Sequence, residues 1–253
     1  MQILVCVKQI PDPDAELHLD QDYGWLNLPE NLEYKMNGFD EYAVEEAIRI
    51  KQKHPDTEIR VVTVGPERAR EVLQRALGMG ADQGTHLLQQ DYVSSSQAAE
   101  LLGRKLMDRN FDLILTGAMS EDNMQGLLAP LLAERMQMPV VNGVVDLEIR
   151  ANSARIKREL EGGYSENFQV SLPAILSLQS GINTPRYPAL SKLLKAKQAE
   201  FETVTLDVPN PREKLHYLQR PGQIRKGDWL EGDTRSKAEQ LAEILKRKNV
   251  LSL

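Results

Sequence analysis

Several features that define common enzyme classes are missing from the sequence. It has one cysteine, Cys6, which excludes an internal disulfide and a cysteine-rich metal site. Its four histidines lack the spacing of a metal site. Walker A, HExxH and GxSxG sequences do not occur. No catalytic site is therefore predicted, and any redox chemistry requires a bound cofactor.

Long apolar runs and a basic charge balance are also missing. No segment approaches the ~20 consecutive apolar residues that span a bilayer, and the opening MQILVCVKQI lacks the basic region and cleavage site of a signal peptide. The formal net charge of -6 argues against nucleic acid as the main partner, because phosphate binding needs a broad basic face. The sequence thus predicts a cytoplasmic protein with no membrane span and no nucleic-acid binding.

Apolar runs alternate with segments of helical periodicity through the first half of the chain. This pattern predicts an α/β fold, a mostly parallel twisted sheet with flanking helices. After Pro139 the strand-like runs follow one another without an intervening helix, which predicts an antiparallel extension of the sheet. The predicted strands are Ile3–Val7, Ile59–Val64, Thr85–Leu88, Leu113–Thr116, Val140–Ile149, Ala154–Leu160 and Asn167–Leu178.

The composition changes near the C-terminus, which divides the chain into two predicted parts. Residues 1–205 are predicted to form the α/β domain, and residues 206–253 a C-terminal arm. Asp207–Gly232 is rich in proline, glycine and charge, whereas Ser236–Lys248 has the apolar spacing of an amphipathic helix. We expect this arm to dock on a partner chain, because a terminal helix with an apolar stripe needs a surface to cover it.

A glycine-rich segment and one asparagine have simple local explanations. Gly78–Gly84 looks like a dinucleotide loop, but it closes a helix and precedes a strand, so a helix C-cap followed by a turn is predicted. Asn37 opens the first helix of the domain. Its residue type favours helix capping, and contact with a ligand is the alternative.

Two other loops follow strands at the edge where open parallel sheets bind ligands. The first is Val64–Pro66 and the second is Gly117–Gly126, which precedes a helix. Backbone amides at that helix start could hold a phosphate, although a polar capping loop is an equal alternative and two acids in the loop disfavour an anion. Polar side chains available in the second loop are Ser120, Asp122, Asn123 and Gln125.

Separated stretches along the chain carry a family resemblance. They are VCVKQIPDPD, MNGFDEYAVEEAIRIK, VGPERAREVLQRALGMGAD, LILTG, IKRELEGG, LPAILSLQSGINTPRYPAL and KLLKAKQ. Together they resemble the β subunit of electron transfer flavoprotein over nearly the whole chain. The polar loop after LILTG is the weakest match to the family.

The resemblance implies a Rossmann-like, adenine-nucleotide-binding fold and a heterodimer with an α subunit. It implies that FAD is held mainly by the α subunit, that the β chain binds AMP, and that the chain is an electron carrier subunit rather than an enzyme on its own. The cofactor-binding residues predicted from the resemblance and the loop are Cys6, Val7, Asn37, Val64, Gly65, Gly117, Ala118, Ser120, Asp122, Asn123, Met124, Gln125 and Gly126.

The resemblance also implies a loop that recognises flavin dehydrogenases such as acyl-CoA dehydrogenase. In this chain it corresponds to Ser180–Gln198, with Ile182 predicted at the tip as the apolar anchor and the basic residues predicted to steer an acidic partner. A solvated helix joined by a simple turn is the alternative. The predicted recognition residues are Ile182, Asn183, Pro185, Arg186, Tyr187, Lys192 and Lys195.

Two other functions remain open at this point. Relatives of the electron-bifurcating type bind a second FAD in place of AMP and oxidise NADH. A stand-alone ATP- or AMP-binding domain resembling stress proteins is an alternative from a different class. Against the latter, no phosphate-binding glycine loop follows the first strand, and such a domain has no use for the C-terminal arm.

Overall fold

The structure is a computed structural model that describes residues 1–20, 25–29, 31–107, 109–210, 216–219, 227, 229–248 and 250. Its contacts divide the chain into two units. The first contains residues 1–18 and 27–215, and the second contains residues 19–26 and 216–253. The pocket described below lies within the first unit.

Strands and helices alternate through much of the described chain. The strands are β1 Gln2–Cys6, β2 Gln9–Pro11, β3 His18–Asp20, β4 Trp25–Asn27, β5 Tyr34–Met36, β6 Glu58–Gly65, β7 Gln83–Leu88, β8 Leu113–Gly117, β9 Val140–Arg150, β10 Ser153–Glu159, β11 Ser165–Ser171, β12 Ala174–Leu178 and β13 Glu202–Val204. The helices are α1 Gly38–Lys53, α2 Arg70–Met79, α3 Ser95–Leu106, α4 Leu128–Met136, α5 Leu190–Lys197 and α6 Thr234–Arg247.

Within the described residues, nine strands form one sheet in the order β11-β10-β9-β12-β8-β1-β6-β7-β13. All neighbours from β9 to β13 run parallel, and β10 and β11 extend the sheet in antiparallel fashion. The predicted α/β class is therefore confirmed. The chain passes from β1 through β6 to β7 on one side and then returns to place β8 on the other side of β1, so the strand order reverses between β1 and β8.

The sheet separates two apolar layers because successive side chains of a strand point to opposite faces. In β1, Ile3 and Val5 belong to the core beneath α1 and α2. Leu4 and Cys6 belong to the core on the opposite face, beneath α3 and α4. The strands are thus apolar on both faces, as a sheet covered by helices on both sides requires.

One predicted strand is two strands in the structure. The run Asn167–Leu178 is divided into β11 and β12, with a cis peptide bond at Leu172–Pro173 between them. Proline has no backbone N–H to donate to a sheet, which explains the interruption. After it, β12 enters the parallel part of the sheet between β8 and β9, a position that the sequence did not predict.

The glycines around position 80 end a helix, as predicted. Gly80, with φ of 136°, follows the last residue of α2 and its N–H donates to the carbonyl of Ala76. Gly78 lies inside α2, where a Cβ atom would lie 2.8 Å from Leu193 Cδ2. Glycine at this position therefore lets α5 pack closely on α2.

The described part of the C-terminal region contains the predicted amphipathic helix. It is α6, and Asp233 caps it by accepting a 2.8 Å hydrogen bond from the N–H of Ser236. Much of the predicted arm, including residues 211–215, 220–226 and 228, lies outside the described residues. Among the helices that the structure describes, none is both long enough and apolar enough to cross a membrane.

Candidate functional site

A pocket opens at the carboxyl edge of the sheet, where the strand order reverses between β1 and β8. The residues that follow β1, Val7 and Lys8, form one wall, and Gly117 and Ala118 at the end of β8 form another. Open α/β sheets bind ligands at such a reversal, because the neighbouring loops diverge and leave a crevice. The pocket contains about 750 Å³ of empty space when its open mouth is counted.

One side of the pocket is apolar. Val62 and Val64 of β6, Val93 before α3 and Leu102 of α3 line it. Cys6 completes this wall, and burial raises the pKa of its thiol far above the ordinary value, so the thiol stays protonated. Apolar lining residues of this kind suit a ring system rather than a charged group.

The starts of two helices also line the pocket. Ser94 caps α3 through a capping box with Gln97, and Ser95 is the first residue of that helix. The hydroxyl of Ser95 donates a 3.0 Å hydrogen bond to Oε1 of Gln125, which precedes α4. Ser94, Ser95, Gln125 and Leu128, the first residue of α4, all line the pocket. Two positive helix ends therefore face the same cavity, which favours an anion.

A buried carboxyl group, Asp40, lies between the two strands that flank the pocket. Its Oδ2 accepts the N–H of Lys8 at 2.8 Å, and its Oδ1 accepts the N–H of Gly117 at 3.1 Å. Burial raises the pKa of Asp40 to about 7, although these hydrogen bonds and Asn37 oppose the rise. The side chain thus joins the end of β1 to the end of β8.

Asn37 holds the loop Gly117–Gly126, here called the pocket loop, against the start of α1. Its Oδ1 accepts the N–H of Glu121 at 3.0 Å, and its Nδ2 donates to the carbonyl of Met119 at 2.9 Å. The residue precedes α1 at the capping position, but its side chain makes no capping hydrogen bond. The predicted capping role is therefore wrong, and the amide fastens a loop more than eighty positions away.

Both acids of the pocket loop have partners inside the protein. Glu121 Oε2 accepts the N–H of Gly38 at the positive end of α1, at 3.0 Å. Asp122 forms a salt bridge with Lys8, with Nζ 2.6 Å from Oδ2 and 2.7 Å from Oδ1. The repulsion that two acids would exert on an anion is thereby reduced.

Comparison with known proteins identifies the family. The model of the electron transfer flavoprotein domain matches residues 26–209. The β subunit of electron transfer flavoprotein from Bacillus subtilis is 33% identical over 97% of this chain and 98% of its own, and that from Syntrophomonas wolfei is 34% identical over 97% and 96%. The chain belongs to the electron transfer flavoprotein β-subunit family. It is also 34% identical to the caffeyl-CoA reductase-Etf complex subunit CarD of Acetobacterium woodii, over 78% of this chain and 75% of that one.

The structure brings most of the predicted cofactor-binding residues together. All except Gly65, Asp122 and Met124 line the pocket. The carbonyl of Gly65 accepts a hydrogen bond from His86 Nε2, and Met124 is 68% exposed. Nucleotide binding by the lining residues stays a prediction.

Sequence reasoning missed a second set of pocket residues. Most of them come from segments that the sequence did not mark as ligand-binding, although Met119 lies in the predicted loop itself, and Lys8 and Asp40 are the charged ones among them. For Asp40 the available signal was an acid in the first turn of α1, which the helix dipole alone seemed to explain. The missed lining residues are Lys8, Asp40, Val62, Val93, Ser94, Ser95, Ala98, Leu102, Thr116, Met119 and Leu128.

The predicted recognition segment is fastened to α1 by two of its own polar residues. Nδ2 of Asn183 donates to the carbonyl of Tyr42 at 3.0 Å and to Oε2 of Glu46 at 2.9 Å. Arg186 forms a bidentate pair with the buried Glu45, at 2.7 and 2.8 Å. The charge of Arg186 is therefore used inside the subunit, where it orders the segment.

The exposed apolar groups of this segment differ from the predicted anchor. Ile182 is half-buried and packs against the core. Tyr187, Leu190 and Leu194 are instead 88%, 71% and 54% exposed. We call these three residues the docking patch. The predicted lysines, Lys192 and Lys195, are exposed on α5 beside it, whereas Pro185 is half-buried.

Proposed function

We propose that this chain is the β subunit of a heterodimeric electron transfer flavoprotein of the cytoplasm, in which the α subunit holds most of the FAD. The β chain binds AMP in the pocket between β1 and β8 and presents a surface to a flavin dehydrogenase such as acyl-CoA dehydrogenase. The flavin supplies the electron transfer when it is bound. The observation that carries the proposal is the pocket itself, which is lined by apolar residues and by the N-termini of two helices.

The lining residues fit a nucleotide with one phosphate. The apolar lining residues Val62, Val64 and Leu102 match the adenine ring, and the same pocket is lined by the hydroxyl-bearing residues Ser94 and Ser95. Among the described lining residues, Lys8 is the one basic side chain. A second FAD would need room for its flavin half beyond the first phosphate, and no motif in the sequence provides for it, so we favour AMP over the electron-bifurcating alternative.

Hydrogen bonds within the protein limit which amides of the pocket loop are available to the proposed phosphate. Several amides of this loop already donate within the protein, among them Gly117 to Asp40 and Glu121 to Asn37. The amides of Ala118, Met124 and Gln125 are also used, by Leu178, Ser120 and Asn123 respectively. Of the loop amides without a described partner, that of Gly126 is nearest in the chain to the start of α4, where the helix end adds a favourable dipole. We propose that the phosphate binds between this amide and the ammonium group of Lys8, both of which belong to lining residues.

The docking patch supports the proposed contact with a dehydrogenase. Leu190 and Leu194 lie one helical turn apart on α5, so they share a face. The side chain of Tyr187 is exposed beside them and lies 5.3 Å from the guanidinium of Arg75, measured to the ring centroid. Tyrosine is enriched among interface hot spots, and an apolar centre with a polar rim is typical of protein interfaces. The lysines nearby would speed association with an acidic partner surface.

The C-terminal arm is the proposed contact with the α subunit. In α6, Leu241 is 47% exposed, and no residue of this helix is buried. The segment just before residue 211 belongs to the first unit and is held there by two hydrogen bonds. Gln89 Nε2 donates to the carbonyl of Leu206 at 2.7 Å, and Gln97 Nε2 donates to the carbonyl of Pro209 at 2.8 Å. We propose that docking begins beyond these contacts.

Analysis of bound nucleotides tests the proposal. The chain is produced together with its α partner, the heterodimer is denatured, and the released nucleotides are identified by mass and quantified against protein. We expect one FAD and one AMP per heterodimer, and no stoichiometric flavin on the β chain produced alone. Two FAD and no AMP would establish the electron-bifurcating type of site. ATP bound to a chain that does not pair with an α subunit would favour the stand-alone nucleotide-binding domain.

A further inference from the structure

A salt bridge crosses from the end of β1 to the pocket loop beside the nucleotide pocket. Lys8 follows β1, lines the pocket, and directs its ammonium group at both oxygens of Asp122, at 2.6 and 2.7 Å. The same ammonium group lies 3.4 Å from the hydroxyl of Ser120, which also lines the pocket. The two charged side chains are 34% and 24% exposed, so solvent screens the pair only partly.

The backbone around this pair is fixed by other contacts. The N–H of Lys8 donates to Asp40, and the carbonyl of Lys8 accepts the N–H of Asn37 at 2.9 Å. On the loop side, Asn37 also holds Met119 and Glu121, which flank Ser120. The salt bridge is therefore a side-chain feature of a loop that other groups already position, and its charges can be changed without removing those anchors.

The charge balance at this place limits how much negative charge a ligand can bring. Lys8 is the one basic residue among the described lining residues, and Asp122 already neutralises it. A single phosphate can share the ammonium group with Asp122. Each further phosphate adds negative charge near the Asp122 carboxylate without meeting another cation of the pocket wall. The cost of each added charge follows from Coulomb interaction in a partly shielded site.

We propose that the Lys8–Asp122 pair determines nucleotide selectivity, by accepting a nucleoside monophosphate and disfavouring a nucleoside diphosphate, which carries one more negative charge. The inference rests on the proposed nucleotide site and adds the residues that select among nucleotides. Lys8 is the phosphate-facing cation, and Asp122 is a positioning and selectivity residue that need not touch the ligand.

Equilibrium binding to the full-length chain, stripped of bound nucleotide, tests this assignment. The probes are adenosine, AMP and ADP, which share the base and differ in charge. In Asp122→Asn the ratio of ADP affinity to AMP affinity should rise on the order of tenfold, because one negative charge is removed close to the phosphates. Adenosine affinity should not change. Glu148→Gln removes one negative charge from an exposed pair with Arg150 outside the pocket, and should leave all three affinities unchanged.

Lys8→Gln gives an independent test should the first variant fold poorly. It should weaken AMP binding about tenfold or more and adenosine binding far less, since glutamine keeps a polar side chain, one atom shorter, but removes the charge. An unchanged ADP-to-AMP ratio in Asp122→Asn, or equal losses of adenosine and AMP in Lys8→Gln, would overturn the selectivity role while leaving the nucleotide site intact. Failure of the unaltered chain to bind either adenosine or AMP would overturn the nucleotide site and the selectivity role with it.

Discussion

Replacing Asn37 with alanine tests whether the clamp between α1 and the pocket loop creates the nucleotide site. Asn37 is 1% exposed, and its amide makes the two hydrogen bonds that hold Glu121 and Met119. The substitution leaves an N–H and a carbonyl of the loop without these partners. Each buried polar group that loses its partner costs about 1–3 kcal/mol, and water can reach part of this loop, so we expect a loss of roughly 2 kcal/mol in the free energy of unfolding.

The expected loss of AMP affinity is larger than the stability change alone would produce. A loop that is no longer held in its binding geometry must be ordered when the ligand binds, and each 1.4 kcal/mol of that cost lowers affinity tenfold. We expect AMP to bind Asn37→Ala about tenfold to a hundredfold more weakly. Titration calorimetry with AMP and urea unfolding of the same samples measure the two quantities separately.

Asn183→Ala is the matched control, because Asn183 also holds a loop on α1 through two hydrogen bonds, to Tyr42 and Glu46. It should lower the free energy of unfolding by a similar amount and leave AMP affinity unchanged. Equal losses of AMP affinity in both variants would mean that global destabilisation, and not the loop clamp, controls binding. Normal AMP affinity in Asn37→Ala would refute the clamp directly.

Three further predictions address pH dependence, docking and the arm. The native pKa of Asp40 is about 7 against 3.8 for an unperturbed group, so the native state holds a proton that the unfolded state releases. The contribution of Asp40 to stability therefore falls as pH rises from about 4 to about 7, and urea unfolding across this range should show a steeper fall in wild type than in Asp40→Asn; equal slopes would refute the raised pKa. Leu190→Ser should slow electron exchange with the partner dehydrogenase about tenfold without loss of stability. Ile182→Ala should instead lower the free energy of unfolding by about 1–2 kcal/mol, because Ile182 packs on the core. Slower exchange in Ile182→Ala and normal exchange in Leu190→Ser would show that Ile182 is the anchor. Truncation after Asn210 keeps the contacts of the preceding residues and should weaken the heterodimer, measured by sedimentation with the α subunit; unchanged affinity would refute docking by the arm.

The sequence predicted correctly those parts of the fold that depend on neighbouring residues. Apolar periodicity is set within a few residues of each strand or helix, so the alternation from β1 to β8, the end of α2 at Gly80 and the helix α6 were all predictable. The position of β12 between β8 and β9 was not, because strand order is decided by packing between residues far apart in the chain. Proline explains why the strand is interrupted there but not where the chain goes next.

The candidate site divides in the same way. The loops at the carboxyl ends of strands were predictable, since parallel strands align those ends at one edge. The contacts that shape the site were not predictable, because Lys8 and Asp122, like Asn37 and Glu121, meet across long stretches of chain. In the sequence, a carboxylate, an amide or a lysine of a helix or loop is adequately explained as a solvent-exposed side chain. Only the folded geometry shows which of them is buried.

Helix α1 connects the proposed nucleotide site to the proposed docking segment. Its start supplies Asn37 and Asp40 to the pocket, and one turn further Glu45 and Glu46 hold the segment that leads to the docking patch. Both glutamates are at most 6% exposed, and burial raises the pKa of Glu46 although Asn183 and nearby cations oppose the rise. Burying a carboxylate is costly without a partner, and well-packed apolar residues would stabilise a helix face at least as well. These acids are therefore better explained by the geometry they impose on Asn183 and Arg186 than by stability, which makes α1 the element that fixes both functional loops relative to the sheet.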